Sequence, residues 1–95
     1  MRFTVTWTEE ASDALAKLWL AADPKRRTHI SRCANLLDGD LRRDAHLIGA
    51  VLRGHEPARL LATPKDFLLP QVAVLYEVSV EDCLVNVADV RILET

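Results

Sequence analysis

The sequence predicts one α+β domain in which two antiparallel helices pack on one face of a sheet completed by a C-terminal, three-stranded antiparallel segment. Three observations predict it. The chain opens on strictly alternating polar and apolar residues, continues with two apolar stripes at helical spacing, and closes on two runs rich in β-branched residues. At 95 residues it has the size of a single domain, so one unit is expected over residues 1–95.

The first element runs from Arg2 to Trp7, with Phe3, Val5 and Trp7 on one side and Arg2, Thr4 and Thr6 on the other, which is the period of a half-buried strand. Thr8 then reads as a helix N-cap, because its hydroxyl can accept a bond from a free N–H of the first turn. Glu9 and Glu10 suit the positive end of the helix dipole. Ala11, Ala14, Leu15, Leu18, Trp19 and Ala22 repeat at three and four residues and form the buried stripe of this first helix.

Asp23-Pro24 ends that helix and starts the next, with Asp23 as cap and Pro24 at the first position, where a missing N–H costs nothing. Ile30, Cys33, Ala34, Leu37 and Leu41 give the second stripe. Between Asp38 and Pro57 the glycines Gly39, Gly49 and Gly54 interrupt the pattern, and Leu47, Ile48, Val51 and Leu52 fit either a short helix or a packed loop.

A short strand follows at Arg59–Ala62, and Thr63-Pro64-Lys65-Asp66 with Pro70 frames a loop holding Phe67-Leu68-Leu69. Gln71–Val80 and Cys83–Leu93 read as a hairpin around a two-residue Glu81-Asp82 loop. In that register Val78 faces Val85, Tyr76 faces Val87 and Val74 faces Asp89 on the apolar side. Ala73, Leu75, Glu77, Ser79, Leu84, Asn86, Ala88 and Val90 then form the partly open side. The turn has neither Gly nor Asn, which leaves room for a shift or a bulge.

Composition narrows the function classes. With 49% hydrophobic and 27% charged residues the chain is an ordinary globular protein, and its first residues contain no apolar stretch of signal-peptide length. Cys33 and Cys83 lie in separate elements without C-x-x-C spacing, so buried thiols in a reducing cytoplasm are expected, with no metal and no cofactor. A net charge of −2 and a pI near 5.9 argue against a phosphate-gripping surface. Generic nucleic-acid binding is expected to be weak, and no membrane association is expected. Two basic clusters remain, one of Lys25, Arg26, Arg27 and Arg32 and another of Arg42, Arg43 and Arg53; each reads first as a solvated helix face.

The order strand, two helices, then strands resembles the RelE/ParE family of type II toxin–antitoxin toxins, a family that includes plasmid stabilisation proteins. Phe3-Thr4-Val5-Thr6-Trp7-Thr8-Glu9-Glu10-Ala11 with Asp13-Ala14-Leu15 is similar to the family's first strand and helix start. Val72-Ala73-Val74-Leu75-Tyr76-Glu77-Val78 resembles its third strand, and Leu84-Val85-Asn86-Val87-Ala88-Asp89-Val90 its last. The resemblance implies a bacterial, cytoplasmic protein with a cognate antitoxin as partner. In ribonuclease members it implies cleavage of mRNA in the ribosomal A site by basic groups and a general acid or base.

This sequence departs from that catalytic pattern. The third-strand position usually held by Arg is Ala73, the basic or His-Arg pair near the end of the last strand falls on Ile92-Leu93, and the sequence stops at Thr95, before the aromatic or basic residues of some members. Arg59 and Arg91 stand near plausible catalytic places, with Glu77 as a candidate base and Lys65 as a further cation. Glu77 opposite Asn86 reads more plainly as a solvent-facing pair. His29, His46 and His55 have no metal-ligand spacing and suit surface or capping roles, Tyr76, Trp7 and Trp19 read as core, and no Ser has a triad around it.

Three functions follow from the resemblance. The first is a toxin-like component acting by protein binding on an antitoxin, and on a gyrase-type target as in the ParE branch. The second is a ribosome-dependent mRNA endoribonuclease with a divergent site, and the third is a non-toxic dimerising or regulatory relic of the fold. Under the first, Arg26, Arg27, Arg42 and Arg43 are expected to receive an acidic antitoxin tail. An open sheet edge, at the first and second strands or at the last, offers a place for an added strand.

Overall fold

The computed structural model describes residues 1–66 and 68–94; Phe67, in the expected 63–70 loop, and Thr95 lie outside the described residues. Strand β1 spans Thr4–Trp7 and buries Val5, while Phe3 just before it is also in the core. Thr8 caps helix α1 (Glu9–Leu20) as expected, its Oγ1 accepting from the Ala11 N–H at 3.1 Å. Asp23 caps helix α2 (Pro24–Asp44) in the same way, its Oδ1 accepting from the Arg26 N–H at 2.8 Å.

The second helix runs through Gly39, as its stripe to Leu41 requires. It continues to Asp44 because Leu37, Leu41 and the following Ala45 keep falling on the buried side. Burial of a Leu stabilises by roughly 1.5–3 kcal/mol, more than the ~1 kcal/mol that a mid-helix Gly costs.

After the helices come β2 (Ala50–Val51), β3 (Ala58–Ala62), β4 (Gln71–Ser79) and β5 (Leu84–Leu93). They join β1 in one sheet of order β1-β5-β4-β3-β2, in which β1 runs parallel to β5 and every other pairing is antiparallel. The expected three-stranded segment therefore has a fourth member, β2, which pairs Ala50 with Leu60 and Val51 with Arg59. The edges are β1 and β2, and the last strand is interior.

The hairpin keeps its expected register near the turn, where Val78 faces Val85 and Tyr76 faces Val87. Its loop is longer than expected. Ser79 pairs with Leu84, so Val80, Glu81, Asp82 and Cys83 form a four-residue connection with Cys83 at φ 51. A two-residue hairpin loop needs positive φ at its central positions, which Glu81-Asp82 does not favour; the longer loop needs it only at Cys83.

Farther along, a bulge shifts the ladder. Leu75 pairs with Asp89 and Val74 with Val90, not with Asp89. The extra residue turns Val90 inward, where it is 3% exposed, and sends Asp89 to the other side, so the expected sides of these two residues are exchanged. A charge leaves the core and an aliphatic side chain enters it.

Both helices cover one face of the sheet. Phe3, Val5, Ala11, Cys33, Leu37, Leu41, Val72, Val74, Tyr76, Val85, Val87 and Val90 form a continuous core between them. The strand alternation leaves Glu77, Asn86, Ala88 and Arg91 on the other, open face, although the small Ala58 and Ala73 are buried there.

Candidate functional site

The strand period separates the residues that the sequence suggested for phosphate chemistry. Arg59 pairs with Tyr76 and shares its helix-facing side, whereas Arg91 pairs with Ala73, which is out of phase with Tyr76. The two arginines thus lie on opposite faces of the sheet. Glu77 is on the same face as Arg91, but it stands opposite Asn86 and four residues along β4 from Ala73, about 13 Å at the rise of a strand. Lys65 lies in the loop between β3 and β4.

Each arginine has a local partner. Arg91 Nε donates to Asp89 Oδ2 at 2.8 Å on the open face, where the side chain is 79% exposed. Arg59 Nη1 donates to the Ile48 carbonyl at 3.2 Å, and the Tyr76 hydroxyl donates to the same carbonyl at 2.8 Å and approaches the Ala45 carbonyl at 3.2 Å. Together Arg59 and Tyr76 strap the segment after α2 to the sheet. Gly49 completes the strap at φ +77, and a Cβ there would stand 2.5 Å from the Tyr76 oxygen. Burial pushes the Tyr76 phenol above its ordinary range, with the Arg59 charge opposing the shift. Arg59 and Tyr76 are fixing the backbone, and a phenol held neutral in this way is no base.

The other nucleophilic or basic groups are dispersed. Burial raises the Cys33 thiol, opposed by a hydrogen bond to Thr63 and by the Arg32 charge, which keeps the thiol protonated and unreactive. Its neighbour His29 bonds the Pro70 carbonyl through Nε2 at 2.8 Å and so ties α2 to the start of β4. His46 packs its ring against Phe3 with centroids 5.1 Å apart, and His55 is exposed. His29 and His46 are thus half-buried packing residues, not the surface or capping groups expected. Among the described residues no three His, Cys, Asp or Glu side chains gather as a metal site, and no helix is long and apolar enough to cross a membrane.

The four arginines expected to receive an acidic tail occupy two ends of α2. Arg26 Nη1 reaches Glu94 at 3.4 Å, Arg42 Nε reaches Asp38 at 2.7 Å and Arg43 Nη2 reaches Asp40 at 3.0 Å. These are exposed pairs of the kind worth about 0–1 kcal/mol, which a partner's carboxylate can replace. Arg27 differs. Its guanidinium lies 4.4 Å from the centre of the Trp19 ring and donates to the Trp19 carbonyl at 3.0 Å and the Leu20 carbonyl at 3.2 Å, closing the C-terminus of α1.

The same contact exposes what the sequence reading missed. Trp19, assigned to the core, is 40% exposed, and the adjacent Leu20 is 66% exposed. With Trp7, Leu15 and Ile30 they line an apolar groove of about 520 Å³ between α1 and α2. The signal was present: Leu18-Trp19-Leu20 makes the apolar arc of α1 wider than one buried stripe requires. Trp7, also assigned to the core, does pack against it, half-buried, and donates its Nε1–H to Asp38 Oδ1 at 3.0 Å.

Comparison with known structures fits this geometry. A chain of the RelBE2 toxin–antitoxin complex from Mycobacterium tuberculosis aligns with a TM-score of 0.67 and 22% identity, over 98% of this chain and 93% of that one. The chain has the RelE toxin fold. The isolated E. coli RelE toxin aligns over 100% of this chain and 87% of that chain, with a TM-score of 0.60 and 19% identity. A chain of the intact E. coli RelBE toxin–antitoxin complex gives 0.51 and 19%, over the full length of both. No family model matches the sequence, and no curated protein matches it. Within the RelE-like fold, strand count is the main difference from the sequence expectation, through β2.

Proposed function

We propose that this chain is the toxin-like component of a type II toxin–antitoxin module and acts by binding proteins, without cutting RNA. The observation that carries this reading is the separation of Arg59 and Arg91 onto opposite faces of the sheet, with Arg59 committed to the Ile48 carbonyl. On the open face Arg91 is neutralised by Asp89, and Glu77 farther along β4 adds negative charge, a balance that does not favour a phosphate backbone. The partner is a cognate antitoxin, as the RelE fold and its occurrence in toxin–antitoxin complexes suggest, and a gyrase-type enzyme is the target class that a non-nuclease toxin of this plan implies. Arg26, Arg27, Arg42 and Arg43 supply the local positive charge for an acidic antitoxin segment.

The test is inducible expression in a bacterial host, alone and together with the reading frame adjacent to the gene. Growth arrest that the neighbour relieves, with no A-site cuts by primer extension, is expected. Reversal of Arg26, Arg42 and Arg43 to Glu is expected to slow association with that neighbour's product about tenfold or more. Ribosome-dependent cleavage at A-site codons overturns the reading.

A further inference from the structure

The sheet face that the helices leave bare has a symmetry of its own. Leu60 of β3 pairs with Leu75 of β4, and both stand in the middle row of this face, half-buried. The next row in one direction holds Ala58, Glu77 and Asn86, and the next row the other way holds Ala62, Ala73 and Arg91. One step farther out, Ser79 pairs with Leu84 at one end and Gln71 with Leu93 at the other. Ala58 and Ala73 are buried although both helices lie on the opposite face, so the larger side chains around them stand above the alanines. The charges of this face are unevenly matched. Asp89 uses both oxygens within its own chain, one on the Val90 N–H at 2.9 Å and one on Arg91 Nε at 2.8 Å. Arg91 is exposed and has other N–H groups left to donate, and Glu77 is exposed with no ion pair among the described residues.

A second copy turned over about a two-fold axis that crosses the strands at Leu60 and Leu75, midway between the two sheets, falls row on row. Leu60 and Leu75 then meet their own counterparts, Leu84 meets Leu93, Ala58 meets Ala62 and Ser79 meets Gln71. Asp89 shares the middle row and meets its counterpart, each already neutralised by its own Arg91. Glu77 comes to stand one strand to the side of the second copy's Arg91, about 4.8 Å across and about 10 Å up, a span that the two extended side chains close. Apolar residues thus meet apolar ones, and the free acid meets the base at both ends. An axis running along the strands fails in this respect, because it sets Glu77 beside Glu77 and Arg91 beside Arg91. From this self-complementarity we infer that the chain pairs with a second copy of itself, bare face to bare face, with β4 antiparallel to β4 and two Glu77–Arg91 ion pairs closing the contact. The face measures about 19 by 27 Å over four strands, or roughly 1,000 Å² for the two copies together. That is the lower limit for a specific interface, so a Kd of about 1–100 μM is expected. The pairing goes beyond the toxin reading and does not depend on it, and it leaves the groove between α1 and α2 open.

Sedimentation equilibrium of the full chain between about 1 and 300 μM is expected to show monomer in exchange with dimer. Glu77→Arg and Arg91→Glu each bring like charges together at both ends of the contact, and each is expected to weaken the pairing about tenfold or more. Both side chains are exposed, so the melting temperatures of the variants are expected to stay within about 4 °C of the unaltered chain. Mixed in equal amounts, the two variants form both ion pairs again, one protomer supplying two arginines and the other two glutamates. The mixture is therefore expected to give a heterodimer about tenfold tighter than either variant makes alone. A chain that stays monomeric at about 300 μM overturns the inference, as does a dimer that Glu77→Arg leaves unchanged or a mixture that does not restore pairing. A monomer in which only added RNA, or the product of the adjacent reading frame, shifts the amide signals of Glu77 and Asn86 overturns it as well.

Discussion

The two faces of the sheet are built from the same strands and tolerate opposite chemistry. On the helix-covered face β4 and β5 present Val74, Tyr76, Val85 and Val87, all with 0% exposure; one residue away along the same strands, Glu77 and Asn86 are exposed. The difference teaches that the meaning of a charged residue here is set by its strand parity. Arg59, on the covered side, is drawn into holding a backbone carbonyl, while Arg91, on the open side, meets only a surface carboxylate. The family resemblance groups them as candidates for one site, and the pleat keeps them apart.

The largest expected effect breaks the covered face. Val85→Asp places a carboxylate where no solvent or cation reaches and is expected to cost more than about 4 kcal/mol, whereas Asn86→Asp, next in the chain, should stay within about 0.5 kcal/mol. Thermal melts of the two variants compare the faces directly, and equal losses would reverse their assignment.

A smaller effect concerns the strap. Tyr76→Phe removes the donor to the Ile48 and Ala45 carbonyls and is expected to cost about 1–3 kcal/mol. It should also change the alkaline limb of the stability profile. Because burial raises the Tyr76 and Cys33 pKa values, the folded state holds these protons more tightly than the unfolded chain does. Their contribution is complete below the ordinary values of 9.0 and 10.0 and is lost as pH rises through the raised ones. Urea denaturation from neutral pH upward should show the decline, with a shallower slope in Tyr76→Phe.

The smallest effects distinguish two arginines that sequence places in equivalent clusters. Arg27→Glu sets a carboxylate against the carbonyl end of α1 and removes the indole contact, and about 1–2 kcal/mol should be lost. Arg43→Glu breaks only an exposed pair with Asp40 and should fall within about 0.5 kcal/mol. Equal melts for the two would remove Arg27 from the structural framework.

Much of the fold was legible because local chemistry and tertiary burial agree in it. Thr8 and Asp23 cap as their side chains dictate, and the stripe from Ile30 to Leu41 needs only one buried side. The misreadings arise where a longer-range gain overrides a local signal. β2, only two residues long, has too little alternation to register as a period. The bulge at Ala88 has no marker residue, since exchanging Asp89 for Val90 on the covered side is favourable only once the helices are in place. The candidate site was less legible still. A groove is a property of two helices together, and Trp19 looks the same in sequence whether it ends under the sheet or at the rim.

The parallel pairing of β1 with β5 sets the order of events during synthesis. Thr4 has its ladder partner at Leu84, so the first strand made waits for the last before it can join the sheet. Until then β1 has no strand to pair with, and the part of the helical face that β5 covers, most of it on α1, stays open. Such non-local closure slows folding and favours transient association with whatever apolar surface is near. The sheet therefore closes only when β1 finds β5, a pairing of far longer range than those of β3 with β4 and β4 with β5.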